Sequence, residues 1–328
     1  MTSPKSPPLT PAEPAAPRIE GRGWISWEDF MTLTKARLSM MVVVTTFVGF
    51  WLGAGSAGFG WRMVHTILGT TLTAFGAAVF NQLMEMGPDA KMHRTADRPL
   101  PGRRIRTEFA FGIGWVLSAL GLMHLGTRVN VEAAALAALT LGTYLFIYTP
   151  MKRRSSLNTL VGAVSGALPP VIGWVGAVGG ADTGGPAVFH WRIFFDQPAI
   201  FLFSLLFLWQ LPHFLAINWM YREEYIRGGF VMWSNEDESG SKTSKLAIFY
   251  SVLLMLLAVH PWWAGFASPW FTVLALLAGG WLVLLAVKFH ALRDRASARR
   301  LFLNTLLYLP IVLVSLCLLA RIVPHPQL

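Results

Sequence analysis

Charge is scarce in this chain. Of its 328 residues, 13% are Asp, Glu, Lys or Arg and 54% are hydrophobic, whereas a soluble domain carries about a quarter charged residues. That deficit excludes an ordinary soluble domain and points to an integral membrane protein. Cysteine is nearly absent: the single one, Cys317, excludes a disulfide framework or a thiolate metal site within the chain. Segments of alternating apolar and polar residues are missing too, which excludes a transmembrane barrel. The N-terminus lacks an apolar core. Its opening, "MTSPKSPPLTPAEPAAP", is rich in Pro, Ala and Ser and is no secretory signal, and Glu13, Glu20 and the shortage of Arg argue against a mitochondrial transit peptide. Residues 1–30 are expected as a disordered cytoplasmic tail, and residues 31–328 as one membrane domain.

What is present is a series of apolar blocks, each near the roughly 20 residues that cross a bilayer as a helix. Nine are expected, at roughly 38–55, 63–86, 109–126, 131–149, 157–179, 198–221, 245–266, 269–292 and 300–322. An open sheet edge cannot face lipid, so the expected fold is an all-α, polytopic membrane helical bundle. Of the 27 lysines and arginines, all except Arg62, Arg128, Arg192 and Arg321 fall on one side of this alternation. The net charge of +10 is therefore a topology signal rather than a nucleic-acid footprint. It predicts a cytoplasmic N-terminus and a C-terminus on the outer side.

Acids do not help orientation, so those on the cytoplasmic side need another reason. One connection carries Glu85, Asp89, Asp97 and Glu108; another, four spans later, carries Glu223, Glu224, Glu236, Asp237 and Glu238. Asn81, Glu85 and Asp89 are spaced by four, which on a continuous helix stacks them on one face. A row of oxygen ligands suits Mg²⁺, which takes one or two carboxylates together with substrate phosphates. Arg94, Arg98, Lys152 and Arg153 lie nearby in the basic connections and suit a diphosphate. The bland reading stands beside this one: bases at cytoplasmic helix ends are the ordinary topology signal, and Glu85 can reach headgroup water. Pro88 removes a helical hydrogen bond and clashes with the residue four back, which predicts a kink or an end near Gly87 and a new turn carrying Asp89. The "NEDESGSK" run reads as a solvated loop. The tryptophans cluster at span ends as an aromatic belt.

These residues resemble a known family. Asn81, Glu85, Asp89, Met92, Arg94, Thr95, Arg98, Pro99, Leu100, Pro101 and Gly102 are similar to the first signature of the protohaem IX farnesyltransferases. That group is a branch of the UbiA-type intramembrane prenyltransferases. "LTKARLSMMVVVTTFVGFWLG", "YTPMKRRSSLNTLVGAVSGALPPVIGW" and "WQLPHFLAINWMYREEYIRGG" resemble three further stretches, in order, over roughly residues 32–322. The chain departs from the family at Ala36, Gly87, Pro88, Asp97 and Glu224, where Pro is frequent at the first and Asp is usual at the last.

The resemblance implies transfer of a farnesyl group from farnesyl diphosphate to a vinyl group of haem B, giving haem O. It implies Mg²⁺ held by Asn81, Glu85 and Asp89 on one side and Glu224 on the other. Arg94, Lys152 and Arg153 would stabilise the leaving diphosphate, and small residues such as Gly162, Ala163, Gly166 and Ala167 would let helices pack closely or leave room for the farnesyl chain. For haem it implies His213, with Asn158 and Tyr225; the alternative for His213 is a histidine that packs helices together. Expected partners are membrane lipid and the two substrates, together with haem A synthase or terminal oxidase assembly proteins, and no nucleic acid. The expected location is a bacterial inner membrane. Two other readings stay open: an aromatic-acid prenyltransferase of quinone biosynthesis and an ion-coupled transporter, the latter disfavoured because no acid sits mid-span.

Overall fold

Backbone polar groups in hydrocarbon must find partners within their own segment, and the apolar blocks do so as helices. The computed structural model describes residues 25–55, 60–179 and 189–321; most of the expected tail lies outside the described residues. Among the described residues nine helices are long and apolar enough to cross a membrane. They are span 1 (Ala36–Ala54), span 2 (Trp61–Asp89), span 3 (Thr107–Arg128), span 4 (Val131–Met151), span 5 (Asn158–Val178), span 6 (Gln197–Met220), span 7 (Ser241–Trp263), span 8 (Pro269–Leu292) and span 9 (Arg295–Leu319). All nine expected spans are present. A short helix, Trp27–Leu33, precedes span 1 and runs across the boundary expected at residue 30.

Spans 6 to 9 pack as one group, spans 2 and 3 as a pair, and span 5 touches spans 1, 2, 4 and 6. Small residues set the closest approaches. A Cβ on Gly49 or Gly173 would collide with the Pro170 and Thr46 carbonyls respectively, so spans 1 and 5 meet backbone to backbone. Spans 2 and 3 meet likewise where Gly76 faces Ser118 and Gly121 faces Thr73. Lipid tails are as apolar as leucine, so such contacts rather than hydrophobic burial hold membrane helices together. The large apolar side chains that remain exposed, among them Trp115, Leu277 and Leu318, face where lipid would lie.

Span 2 is the longest, with 29 residues. At 1.5 Å per residue it measures about 43 Å, well beyond a hydrocarbon core of about 30 Å. Its last turns therefore stand at or past the membrane boundary, on the face where the basic connections gather.

Those connections are tied to one another. Arg104 bridges Asp29 of the first short helix at 2.9 Å and Asp97 of its own loop at 3.3 Å. Met92 packs with Phe230, Met232 and Tyr225. The Val231 amide donates to the Lys152 carbonyl at 2.7 Å, and Asn158 Nδ2 donates to the Val231 and Ser155 carbonyls, each at 2.7 Å. In "NEDESGSK", Asp237 is buried rather than solvated: it accepts from the Thr243 amide at 2.7 Å at the start of span 7 and from Ser239 Oγ at 3.1 Å.

Two measurements test these supports. Gly173→Val forces a side chain into the Thr46 carbonyl, and overpacking of this kind costs about 1–3 kcal/mol or more. It is expected to lower the melting temperature in detergent, whereas Gly112→Ala, which meets nothing within 4 Å, is expected to leave it unchanged or raised. Burial alone would raise the Asp237 carboxyl, but the Thr243 amide holds it below its ordinary 3.8. A group depressed on folding stabilises above its unfolded value and loses that contribution as pH falls through the folded one. Wild type should therefore outlast Asp237→Asn at neutral pH, with the gap in melting temperature closing below about pH 3.8.

Candidate active site

The helical hydrogen bonds of span 2 run through Pro88 to Asp89, so the expected end at Gly87 does not occur. The reason is position. Pro88 lies in the last turn, where its missing N–H forfeits one bond, and Ala90 and Lys91 close the helix by donating to the Met86 and Pro88 carbonyls. Asn81, Glu85 and Asp89 consequently share one face and are 0%, 5% and 1% exposed.

Each is met by a base. Lys152 Nζ lies 2.7 Å from Glu85 Oε1, and Arg98 Nη1 lies 2.6 Å from Asp89 Oδ2. Lys35 Nζ donates to Asn81 Oδ1 at 2.5 Å, and Asn81 Nδ2 donates to Thr149 Oγ1 at 3.1 Å. Lys35 occupies the break between the first short helix and span 1, with a left-handed backbone (φ 49°). Gln82, next to Asn81, pins that break by donating to the Thr32 and Leu33 carbonyls at 2.7 and 3.0 Å.

The two lysines differ in electrostatics. Burial pushes Lys35 down to about 8, only partly offset by Glu85, because its direct partner is a neutral amide. Burial would lower Lys152 too, but the adjoining Glu85 carboxylate holds it well above the ordinary lysine value. The ring of Tyr148 lies 4.5 Å from Lys152 Nζ, and that of Phe230 lies 5.8 Å away. Tyr148 ends a π-helical stretch, Thr143–Tyr148, inside span 4; such wide turns occur frequently at functional sites. Thr149 Oγ1 donates to the Tyr144 carbonyl at 2.8 Å, which leaves its lone pairs for Asn81.

The second acidic segment adjoins this cluster. The short helix Arg222–Arg227 follows span 6 and carries Glu224, whose Oε2 is enclosed and has no hydrogen-bond partner. Arg94 from the first basic connection lies over the rings of Tyr225 (4.6 Å) and Tyr221 (5.3 Å), and Arg295 lies over Tyr221 from the other side of the chain (5.7 Å). Tyr221, Arg222, Glu223, Glu224, Arg227 and Arg295 line an open cleft of about 320 Å³.

The structure thus joins Asn81, Glu85, Asp89 and Lys152, and sets Arg94, Tyr225 and Glu224 beside the packed loops. Arg153 is exposed and makes none of the ion pairs. Asn158 brackets two loops through its amide. His213 lies between spans 6 and 9, hydrogen-bonded to Thr305. Sequence reasoning missed Lys35, and it also missed Arg98 as the direct partner of Asp89. Their signals, in "LTKAR" and "RPLP", look like ordinary basic topology residues. Among the described residues no three acids, histidines or cysteines gather closely enough to hold a metal, because bases separate the acids. The donor set nonetheless fits Mg²⁺: hard carboxylate and amide oxygens, with Glu224 Oε2 as a buried oxygen lacking a partner.

The UbiA prenyltransferase family is matched over residues 42–309. A protein named protoheme IX farnesyltransferase from Solibacter usitatus is 38% identical over 294 residues, covering 87% of this chain and 96% of its own. Among solved structures, a digeranylgeranylglyceryl phosphate synthase is similar in fold, with a TM-score of 0.71 at 15% identity, covering 89% of this chain and 97% of that one. A UbiA homolog from Archaeoglobus fulgidus bound to GPP and Mg²⁺ is also similar, with a TM-score of 0.59 at 12% identity, covering 88% and 99%. Nine spans, a buried oxygen-rich helix face ringed by bases, and a match running almost from the first span to the last agree: the chain belongs to the UbiA prenyltransferase family.

Proposed function

We propose that the protein transfers the farnesyl group of farnesyl diphosphate to a vinyl group of haem B, forming haem O. The observation that carries this reading is the 38% identity to a protoheme IX farnesyltransferase along nearly the whole of both chains. The buried Asn81–Glu85–Asp89 face supplies matching chemistry. Glu85, Asp89, Asn81 and Glu224 are the residues that would hold Mg²⁺. When bound, Mg²⁺ supplies Lewis-acid neutralisation of diphosphate charge.

The chain's own bases then act on the substrate. Lys152, Arg98, Lys35 and Arg94 donate to diphosphate oxygens. As the allylic C–O bond breaks, its electron pair leaves with the diphosphate, and these cations stabilise the growing negative charge without having to reorganise. The vinyl π pair of haem bonds to the allylic carbon. Water adds to the cation left beside the porphyrin and loses a proton, leaving a hydroxyl. The farnesyl chain runs between helices, away from water. The basic face lies in the cytoplasm by the charge rule, with a bacterial inner membrane as the proposed setting. A haem A synthase or an oxidase assembly protein would receive the product there.

Membranes containing the chain, given haem B and farnesyl diphosphate, should yield haem O by chromatography and mass; a folded protein that makes none would overturn the reading. Asp89→Asn is expected to reduce turnover by at least about 10²-fold, the scale of losing one electrostatic contact in a transition state. Lys35→Met leaves the acids and Lys152 in place, so it should weaken farnesyl diphosphate by about tenfold, the low end for losing a charged hydrogen bond, with haem affinity unchanged. Both affinities are measured by titration of the purified protein.

A further inference from the structure

His213 and Thr305 are 92 residues apart in sequence, and their side chains meet at 2.8 Å, Nδ1 to Oγ1. Thr305 is fully buried. Its hydroxyl has one proton, and that proton is committed: Oγ1 lies 2.6 Å from the Phe302 carbonyl, which can only accept. Oγ1 must therefore accept from His213, so the His213 proton sits on Nδ1. In the neutral ring the lone pair then belongs to Nε2. No hydrogen bond from the described residues takes up Nε2, nor is it one of the enclosed polar atoms that lack a partner. Nε2 is therefore neither enclosed nor hydrogen-bonded.

The surroundings fix the ring's plane as well as its proton. Trp209 stacks on it at 5.3 Å and 24°, and Phe302 lies at 4.7 Å and 33°. Trp209 is itself locked, because its Nε1 donates to the Thr305 carbonyl at 2.6 Å. Thr305 thus holds both the histidine and the ring stacked on it. A histidine that only packed helices would not need one nitrogen anchored so firmly while the other was left free. An anchored Nδ1–H with a free Nε2 is the arrangement of a metal-binding imidazole.

The position relates to the reaction site. The Tyr148 ring over Lys152 packs on Gly162 of span 5. One turn along span 5, Gly166 packs on Gln210 of span 6, and His213 follows Gln210 by one turn. Spans 5 and 6 run in opposite directions, so the step from Gln210 to His213 leads back toward the basic face and brings the imidazole to about the level of Gly162 and the Tyr148–Lys152 contact.

We infer that Thr305 is a positioning residue that fixes His213 in the Nδ1–H form, so that Nε2 ligates the iron of the haem substrate. This rests on the reading that haem is the prenyl acceptor. His213 is the residue that touches the substrate, and Thr305 acts through it. Loss of such an anchoring partner weakens metal binding by about 10–100-fold.

The test titrates ferric haem B into the purified full-length protein without farnesyl diphosphate. It records the visible and electron paramagnetic resonance spectra, and measures farnesyl diphosphate binding separately as a check of fold. Wild type and Thr305→Ser should show an imidazole-ligated spectrum. Thr305→Val should bind haem 10–100-fold more weakly with that signature diminished, and His213→Gly should lose it and regain it on addition of imidazole. All four should bind farnesyl diphosphate alike. A wild-type spectrum in His213→Gly, or Thr305→Val indistinguishable from Thr305→Ser, overturns the inference. Wild type that forms haem O without any imidazole signature overturns it too, while leaving the prenyl-transfer reading standing. Wild type that forms no haem O removes the premise itself.

Discussion

Carboxylates buried at the end of a membrane helix must be neutralised, and the rest of the site follows from that constraint. Moving an ion out of water costs several kcal/mol even after the protein relaxes. Glu85 and Asp89 are nearly inaccessible, so each has a base in contact, and the amide of Asn81 has a third. The acids and bases therefore satisfy one another. Substrate binding in the proposed reaction is then an exchange of partners. Mg²⁺, when bound, would be held by the acids and the diphosphate by the bases, so that each buried charge keeps a partner of opposite sign. Breaking a buried pair without replacement is costly, and this exchange avoids it.

That exchange needs bases from three different parts of the chain to reach one helix face. Lys35 comes from the start of span 1, Arg98 from the loop after span 2, and Lys152 from the end of span 4. The close crossing of spans 1 and 5 at Gly49 and Gly173 draws in the first. Gln82 clamps the break that carries Lys35. The π-helical stretch of span 4 brings Tyr148 over Lys152, and its Tyr144 carbonyl accepts from both the amide and the hydroxyl of Thr149. The second loop is locked to the others through Met92 and Val231.

Much of this was legible in the sequence, and what was not has a physical reason. Span number follows from length and hydropathy, because the bilayer imposes one dimension on all nine helices. The spacing of Asn81, Glu85 and Asp89 also survived, because four residues is nearly one turn. Pro88 misled because a proline breaks a helix mid-way but costs little in a closing turn, and sequence alone does not show which applies. Lys35 and Arg98 were hidden among bases that serve topology. Thr305 was invisible altogether: a threonine in an apolar run, it matters only through a histidine on another helix. Asp237 looked solvated because its neighbours are polar, yet it is buried as the acceptor for the Thr243 amide.

The arrangement also separates two chemical tasks that conflict. Ionising an allylic diphosphate needs dense positive charge, and that is available where the spans meet the polar face. The carbocation that results must meet a vinyl group before it meets water, and that requires an apolar, enclosed neighbourhood. Trp209, His213 and Phe302 form an aromatic cluster between spans 6 and 9, beside the close packing of span 5 on span 6. A site built wholly at the face would hydrolyse its substrate, and one built wholly within the bilayer could not hold the diphosphate. Bases gathered from the connections and aromatic rings supplied by spans 6 and 9 let a single bundle do both.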